Sequence, residues 1–133
     1  MKIVLVNGSP HQFGCTARAM SEVSRTLSEW PDVIVSKVWL GQQVLQCRDC
    51  RECKKQKCGC VLADNPITGE SVLGTLMFHA HDADAIVFGS PVYYGGISGQ
   101  LQAVLTRLFY STPKALEGKL IAGVFSSRRA GST

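Results

Sequence analysis

The sequence predicts an α/β fold of the doubly wound class, built on a parallel sheet. Three observations point there. Ile3 to Val6 is an apolar, β-branched run of the length of a buried strand. A loop rich in Gly, Ser and Pro follows it, and then Ala17, Met20, Val23 and Leu27 recur at helical steps. Val33 to Leu40 supplies a second strand-like run, so the chain opens with a strand–helix–strand unit, and such units make parallel sheets.

The remaining elements follow in order. The first helix is expected from about Thr16 to Glu29, ending before Pro31, because the residue preceding a proline leaves the helical region. The second strand ends at Gly41. Residues 41–66 read as an irregular insertion holding most of the cysteines and much of the charge, and a loop that long in a small domain usually has a job or a metal. Glu70 to His81 reads as a helix with Val72, Leu73, Leu76 and Met77 on one face. Asp82-Ala83-Asp84 turns into a third strand, Ala85 to Gly89, which Ser90-Pro91 closes. Val92 to Gly96 is a loop. Ser98 to Tyr110 is a helix with Leu101, Val104, Leu105, Leu108 and Phe109 as its apolar stripe, and Leu120 to Phe125 is a fourth strand.

A chain of 133 residues has the size of one domain with one core. No apolar run reaches membrane-spanning length and no leader precedes Met1-Lys2, which points to a cytoplasmic protein with no membrane partner. A net charge of +4 suits anionic small molecules and does not by itself argue for nucleic acid. Six cysteines in a leaderless chain are better read as ligands than as a disulfide framework, and five of them fall between Cys47 and Cys60.

Ligands of open α/β sheets bind beyond the carboxyl ends of the strands, at the switch point. Two loops meet there. In the first, Gly8 to Thr16 joins a strand end to a helix N-terminus, where unpaired backbone N–H groups and the positive helix end suit a phosphate. Ser9 and Thr16 add hydroxyls, and His11 and Cys15 belong to the same loop. The loop is neither a G-x-G-x-x-G fingerprint nor a Walker A sequence. The second loop, Pro91-Val92-Tyr93-Tyr94-Gly95-Gly96, has two aromatic rings to stack on a flat ligand and two glycines that bring backbone N–H groups close.

These residues resemble a known family. Gly8-Ser9-Pro10 with Gly14 and Thr16 is similar to the phosphate loop of NADPH-dependent FMN reductases, with His11 where the family usually has Arg and Cys15 where it usually has Asn. Gly89 to Gln100 closely resembles that family's isoalloxazine-binding segment, and Ser126 to Gly131 resembles the loop that closes over the flavin. The resemblance implies a flavodoxin-like sheet in which strands order as 2-1-3-4-5. Four strands are present by this reading. The fifth is missing, and the chain is expected to be a C-terminally truncated piece. Residues 1–133 then form a single flavodoxin-like FMN-binding domain with a Cys-rich insertion. FMN contacts are expected from Ser9, His11, Cys15, Thr16, Pro91, Val92, Tyr93, Tyr94, Gly95, Ser126 and Arg128.

Cys47-x2-Cys50-x2-Cys53 has the compact spacing of a three-ligand iron–sulfur run, with Cys58 or Cys60 as the fourth ligand; zinc or free thiols are the alternatives. Cys60-Val-Leu-Ala-Asp resembles the Cys-Val-x-x-Asp of iron–sulfur flavoproteins in this family, which favours Cys60. The function implied is an FMN-dependent oxidoreductase that passes electrons between FMN and a [4Fe–4S] cluster, with no protein acid or base. A cluster-free NAD(P)H:FMN or quinone reductase, and an FMN-holding electron carrier served by a redox protein such as ferredoxin, are the alternatives. NAD(P)H is one candidate donor, the sequence leaving the physiological donor open, and the resemblance implies a homodimer or homotetramer. His79 and His81 read as a surface helix end, Cys15 as a small packed residue, and Trp30 and Trp39 as packing residues.

Overall fold

The computed structural model describes residues 1–65 and 67–128. Within them the chain runs β1 (Lys2–Asn7), α1 (Cys15–Leu27), β2 (Ile34–Trp39), α2 (Glu52–Gln56), α3 (Val72–Ala80), β3 (Ala85–Pro91), α4 (Gly99–Ser111) and β4 (Leu120–Ser126). The described strands form one sheet in the order β2-β1-β3-β4, and every pairing is parallel. The chain therefore starts at an inner strand and moves outward in both directions, the doubly wound arrangement.

The inner strands are apolar through Ile3 to Val6 and Ala85 to Phe88 because both faces are covered there. Val4, Val6, Ile86 and Phe88 point to one face, where α3 and α4 supply Leu73, Leu76, Leu101, Val104 and Leu108. Ile3, Leu5 and Val87 point to the other, against Met20 of α1. A period of two within each strand thus feeds two separate cores.

Element ends differ from expectation by one to two residues at most sites, and each difference has a local cause. The third helix starts at Val72 because Ser71 is its N-cap, accepting the Gly74 N–H at 3.2 Å. On α4 the buried residues are Leu101, Ala103, Val104, Arg107 and Leu108, so Leu105 and Phe109 are not the centre of the stripe. Phe109 is exposed. The insertion is not wholly irregular, since it contains the short helix α2. β4 is the outermost strand of the described sheet, and Leu120, Ile121 and Phe125 on it are exposed.

Candidate functional site

The loops following β1, β3 and β4 converge at the carboxyl end of the sheet. Gly8 is where they lock together. Its N–H donates to the Gly89 carbonyl at 2.8 Å, and its own carbonyl accepts from the Ser98 hydroxyl. A Cβ at Gly8 would sit 2.8 Å from Leu101 Cβ and 2.9 Å from the Gly89 oxygen, so only glycine allows this approach. Ser98 is fully buried. It caps α4 by accepting the Leu101 N–H at 3.2 Å, and its own N–H donates to Ser90 Oγ at 2.8 Å. One serine therefore joins the first loop, the end of β3 and the start of α4.

The first loop is held from inside. Ser9 donates its N–H to Asn7 Oδ1 at 3.0 Å, accepts the His11 N–H on Oγ at 3.1 Å, and accepts the Trp39 indole N–H on its carbonyl at 2.9 Å. Ser9 and Thr16 are buried, whereas His11 and Cys15 are exposed. Cys15 opens α1 at the surface and is not the packed residue expected of it. Trp39 is a strut for this loop rather than a core residue, and Trp30 is exposed. The helix that follows has Gly14 as its N-cap, with no side-chain cap and no acidic residue in its first turn. Its leading N–H groups therefore need an external acceptor, and the helix end is electropositive. Thr16 Oγ1 lies 2.8 Å from Ser126 Oγ, and the Val92 N–H donates to the Ser126 carbonyl at 2.9 Å, so the three loops are directly bonded to one another.

The second loop is a tight turn. Tyr93 and Gly96 exchange backbone hydrogen bonds at 2.9 and 3.0 Å, and the two central residues have positive φ, 52° at Tyr94 and 79° at Gly95. That is the signature of a type I′ turn, in which Asn or Gly is the usual first residue. Tyr94 takes the left-handed conformation with its ring wholly in solvent. The Gly96 N–H is bonded within the turn and is not free to reach a ligand, a correction to the sequence reading. Pro91 and Val92 are half-buried at its base, and Arg128 is exposed just beyond β4. Residues 129–131 of the expected flavin-closing loop lie outside the described residues.

Cys47, Cys50, Cys53 and Cys60 lie against the other half of α4, where they line one cavity of about 10 Å³ together with Arg107 and Tyr110. Cys58 is exposed, and its thiol lies within 3.6 Å of Gln56 Oε1 and 3.7 Å of the Gly59 carbonyl. Left-handed residues at Asp49, Arg51, Lys57 and Gly59 fold the segment sharply between its cysteines. Tyr110 anchors it from outside: its hydroxyl donates to Asp49 at 2.9 Å, and the Lys54 ammonium lies 4.7 Å from its ring centre. The Tyr110 hydroxyl, and after it Arg51, hold the Asp49 carboxyl below the usual carboxylate range. Among the described residues no three Cys, His, Asp or Glu side chains are arranged to hold a single metal ion.

The residue that sequence reasoning missed is Arg107. Its side chain is fully buried and ion-paired to Asp64, itself 4% exposed. Its Nε donates to Cys60 Sγ at 3.4 Å, and its Nη atoms reach the Leu45 carbonyl at 3.2 Å, the Leu62 carbonyl at 2.7 Å and Ser71 Oγ at 3.3 Å. Burial opposes its charge, but the Cys60 and Asp64 partners outweigh burial and hold the guanidinium above its usual pKa. The available signal was a lone cation inside the stripe between Val104 and Leu108. Asp64 uses its other oxygen to accept the Val72 N–H at 2.7 Å, and also accepts the Leu45 N–H at 2.8 Å. At the opposite end of the sheet, His81 faces Asp82 at 2.7 Å.

The chain matches the NADPH-dependent FMN reductase family over residues 1–133. An iron-sulfur flavoprotein of Methanocaldococcus jannaschii is 30% identical over 109 residues, which are 80% of this chain and 51% of that protein. A second iron-sulfur flavoprotein from the same organism is 29% identical over 123 residues, 90% of this chain and 58% of its own length. The chain thus spans about half the length of these curated relatives. The apo structure of an NADH:FMN oxidoreductase superposes with a TM-score of 0.68 at 18% identity, covering 98% of this chain and 60% of that one. An FMN-bound, FMN-dependent NADH-azoreductase from Bacillus anthracis gives 0.65 at 11% identity, covering 96% and 69%. At these identities the two structures speak to the fold. No helix among the described residues is long and apolar enough to cross a membrane.

Proposed function

The chain belongs to the NADPH-dependent FMN reductase family, and from that premise we propose that it is an FMN-dependent oxidoreductase whose cysteine loop holds a [4Fe–4S] cluster. The observation that carries the flavin part is the N-terminus of α1, without a side-chain cap and joined through Ser126 to the base of the aromatic turn after β3. When bound, FMN would supply the hydride and single-electron chemistry. The protein's part is to bind and orient it. The first-turn N–H groups of α1, with the Ser9 and Thr16 hydroxyls, fit the phosphate, which would complete the cap that Gly14 lacks. The exposed His11, Cys15 and Arg128 would contact it from the surface. Pro91, Val92, Tyr93, Tyr94, Gly95 and Ser126 would face the ring side, where the turn carries two tyrosine rings while its Val92, Tyr93 and Gly96 N–H groups are already spent on backbone carbonyls.

The cysteine loop fits a cluster in kind and number of donors, because four thiols share one cavity and Cys58 is outside it. A cubane binds each thiolate to a different iron, so it does not ask the sulfurs to meet at one point, whereas a single zinc does. The lack of a single-ion arrangement therefore weighs against zinc more than against a cluster. Cys47, Cys50, Cys53 and Cys60 would be the ligands. The names of the curated relatives agree with this reading.

The test is protein purified without oxygen, with its visible spectrum recorded and iron and sulfide assayed on the same sample. Flavin bands with about four irons per chain support the reading. NADH and NADPH are then added in turn: bleaching of the flavin by either supports a nicotinamide reductase, and bleaching only by a reduced ferredoxin supports an electron carrier. Flavin without iron leaves the cluster-free reductase, and folded protein that takes up no FMN at tens of micromolar refutes the flavin assignment for this chain.

A further inference from the structure

Arg107 spends its full hydrogen-bonding capacity on the base of the cysteine loop and on Ser71, the cap of α3 that follows it. A guanidinium has five N–H donors, and five acceptors surround this one: Cys60 Sγ, the carbonyls of Leu45 and Leu62, Asp64 and Ser71 Oγ. Leu45 precedes the first loop cysteine, and Cys60, Leu62 and Asp64 enclose the exit. The arginine therefore ties the two ends of the loop to α4 and to each other. As a source of stability alone this is a poor choice, because an apolar side chain of similar volume usually serves a core as well as a buried ion pair. What an apolar residue lacks is a directed N–H aimed at a sulfur.

We infer that Arg107 is a positioning residue for the cluster, fixing Cys60 rather than Cys58 as the fourth thiolate and donating Nε–H to its sulfur. The inference rests on the cluster reading above. Cys60 is held in the cavity by Arg107, while Cys58, two residues earlier, is turned out to solvent with only neutral local partners. Asp64 balances the guanidinium charge, so the effect on the cluster is a directed hydrogen bond more than a bare positive field. Hydrogen bonds to cluster sulfurs raise the reduction potential, and outer partners also set ligand orientation and affinity. Losing this one should lower the potential and loosen the fourth ligand.

The experiment compares wild type with Arg107→Lys, Arg107→Gln, Cys58→Ser and Cys60→Ser, all purified without oxygen. Iron and sulfide per FMN are assayed, and the cluster is titrated by electron paramagnetic resonance. Bound FMN reports that each variant has folded. Expected results are an unchanged iron content in Cys58→Ser and loss of one or more irons in Cys60→Ser. Arg107→Lys, which keeps the charge for Asp64 but not the planar fork, should retain FMN and show a lower midpoint; Arg107→Gln should also lose iron. A wild-type midpoint and iron content in Arg107→Lys would overturn the inference. So would iron lost from Cys58→Ser but kept in Cys60→Ser. If the Arg107 variants fail to fold, the cysteine pair alone decides the ligand choice. Wild type that holds FMN but no iron overturns the cluster reading, and this inference with it.

Discussion

Replacing Gly8 by alanine should damage both stability and flavin binding, and the structure gives the size of the injury. The new methyl carbon would lie 2.8 Å from Leu101 Cβ and 2.9 Å from the Gly89 oxygen, where ordinary contact begins at 3.4 Å. Neither neighbour is a flexible tip. Leu101 Cβ is fixed by the α4 backbone, and the Gly89 oxygen is bonded to Gly8 itself. Relief therefore requires the first loop to lift from α4 by several tenths of an ångström, which stretches the Gly8–Gly89 and Ser98–Gly8 hydrogen bonds. Overpacking of this kind costs about 1–3 kcal/mol. The same displacement carries Ser9 away from the aromatic turn, so FMN affinity should fall by roughly ten-fold or more for each 1.4 kcal/mol of binding geometry lost. Gly99→Ala is the control: nothing lies within 4 Å of its Cβ position, and Gly99 is the first residue of α4. It should be neutral, or stabilising by up to about 1 kcal/mol. Urea unfolding and fluorescence titration with FMN measure the two effects. Equal stability and equal FMN affinity in Gly8→Ala and Gly99→Ala would refute the claim that Gly8 sets the spacing of the two loops.

Four further outcomes are expected. Ser98→Ala removes the α4 cap and strands the buried Gly8 carbonyl, at a cost between about 1 and 3 kcal/mol by urea unfolding, with weaker FMN binding. Tyr94→Gly relieves a left-handed side-chain residue without losing packing, so the apoprotein should gain about 1 kcal/mol in the same assay while FMN binds more weakly; unchanged FMN affinity would remove Tyr94 from the site. Asp64→Asn leaves the Arg107 charge buried without its counterion and should destabilise the domain by about 3–5 kcal/mol, read as a lower thermal midpoint. The Asp82 carboxyl is held below its usual pKa, first by its hydrogen bond with His81 and then by Lys2. Its contribution is therefore present above the ordinary aspartate pKa and lost as pH falls through the lowered folded value. Asp82→Asn should flatten that acid limb slightly, and added salt should do the same in wild type, because the group is exposed.

The strands were legible because parallel strands buried on both faces are apolar throughout, as Ile3 to Val6 and Ala85 to Phe88 are. The positions of the two loops after β1 and β3 were legible because each sits at a strand end, where Gly, Ser and Pro interrupt the pattern. What the sequence concealed was tertiary. Arg107 binds partners spread from Leu45 to Ser71, and no local period announces them; Asp64 stood in the Cys-Val-x-x-Asp resemblance, but its service to Arg107, Leu45 and Val72 did not. Spacing alone does not separate Cys58 from Cys60; the structure does, with Cys58 exposed and Cys60 in the cavity beside Arg107. Helix α2 is five residues long and is entered through a left-handed Arg51, too short for a periodic signal. Trp39 read only as a packing residue, while its indole N–H decides its place beside Ser9.

These features meet on α4. Its capping serine holds the loop after β1 to the end of β3, and Arg107 and Tyr110 hold the cysteine loop. A rise of about 1.5 Å per residue places Arg107 roughly 13 Å from Ser98 along the axis. The insertion follows the same line, from Gln42 beside Gln100 to Leu45 beside Arg107 and Gly59 beside Thr112. A packed helix is stiff over that length, so it should behave as a spacer whose two ends can be injured separately. Ser98→Ala should then weaken FMN without changing iron content, and Arg107→Lys should alter the cluster without changing FMN affinity. If either lesion disturbs both groups equally, α4 shifts as a whole, and the spacing between the two sites is set elsewhere.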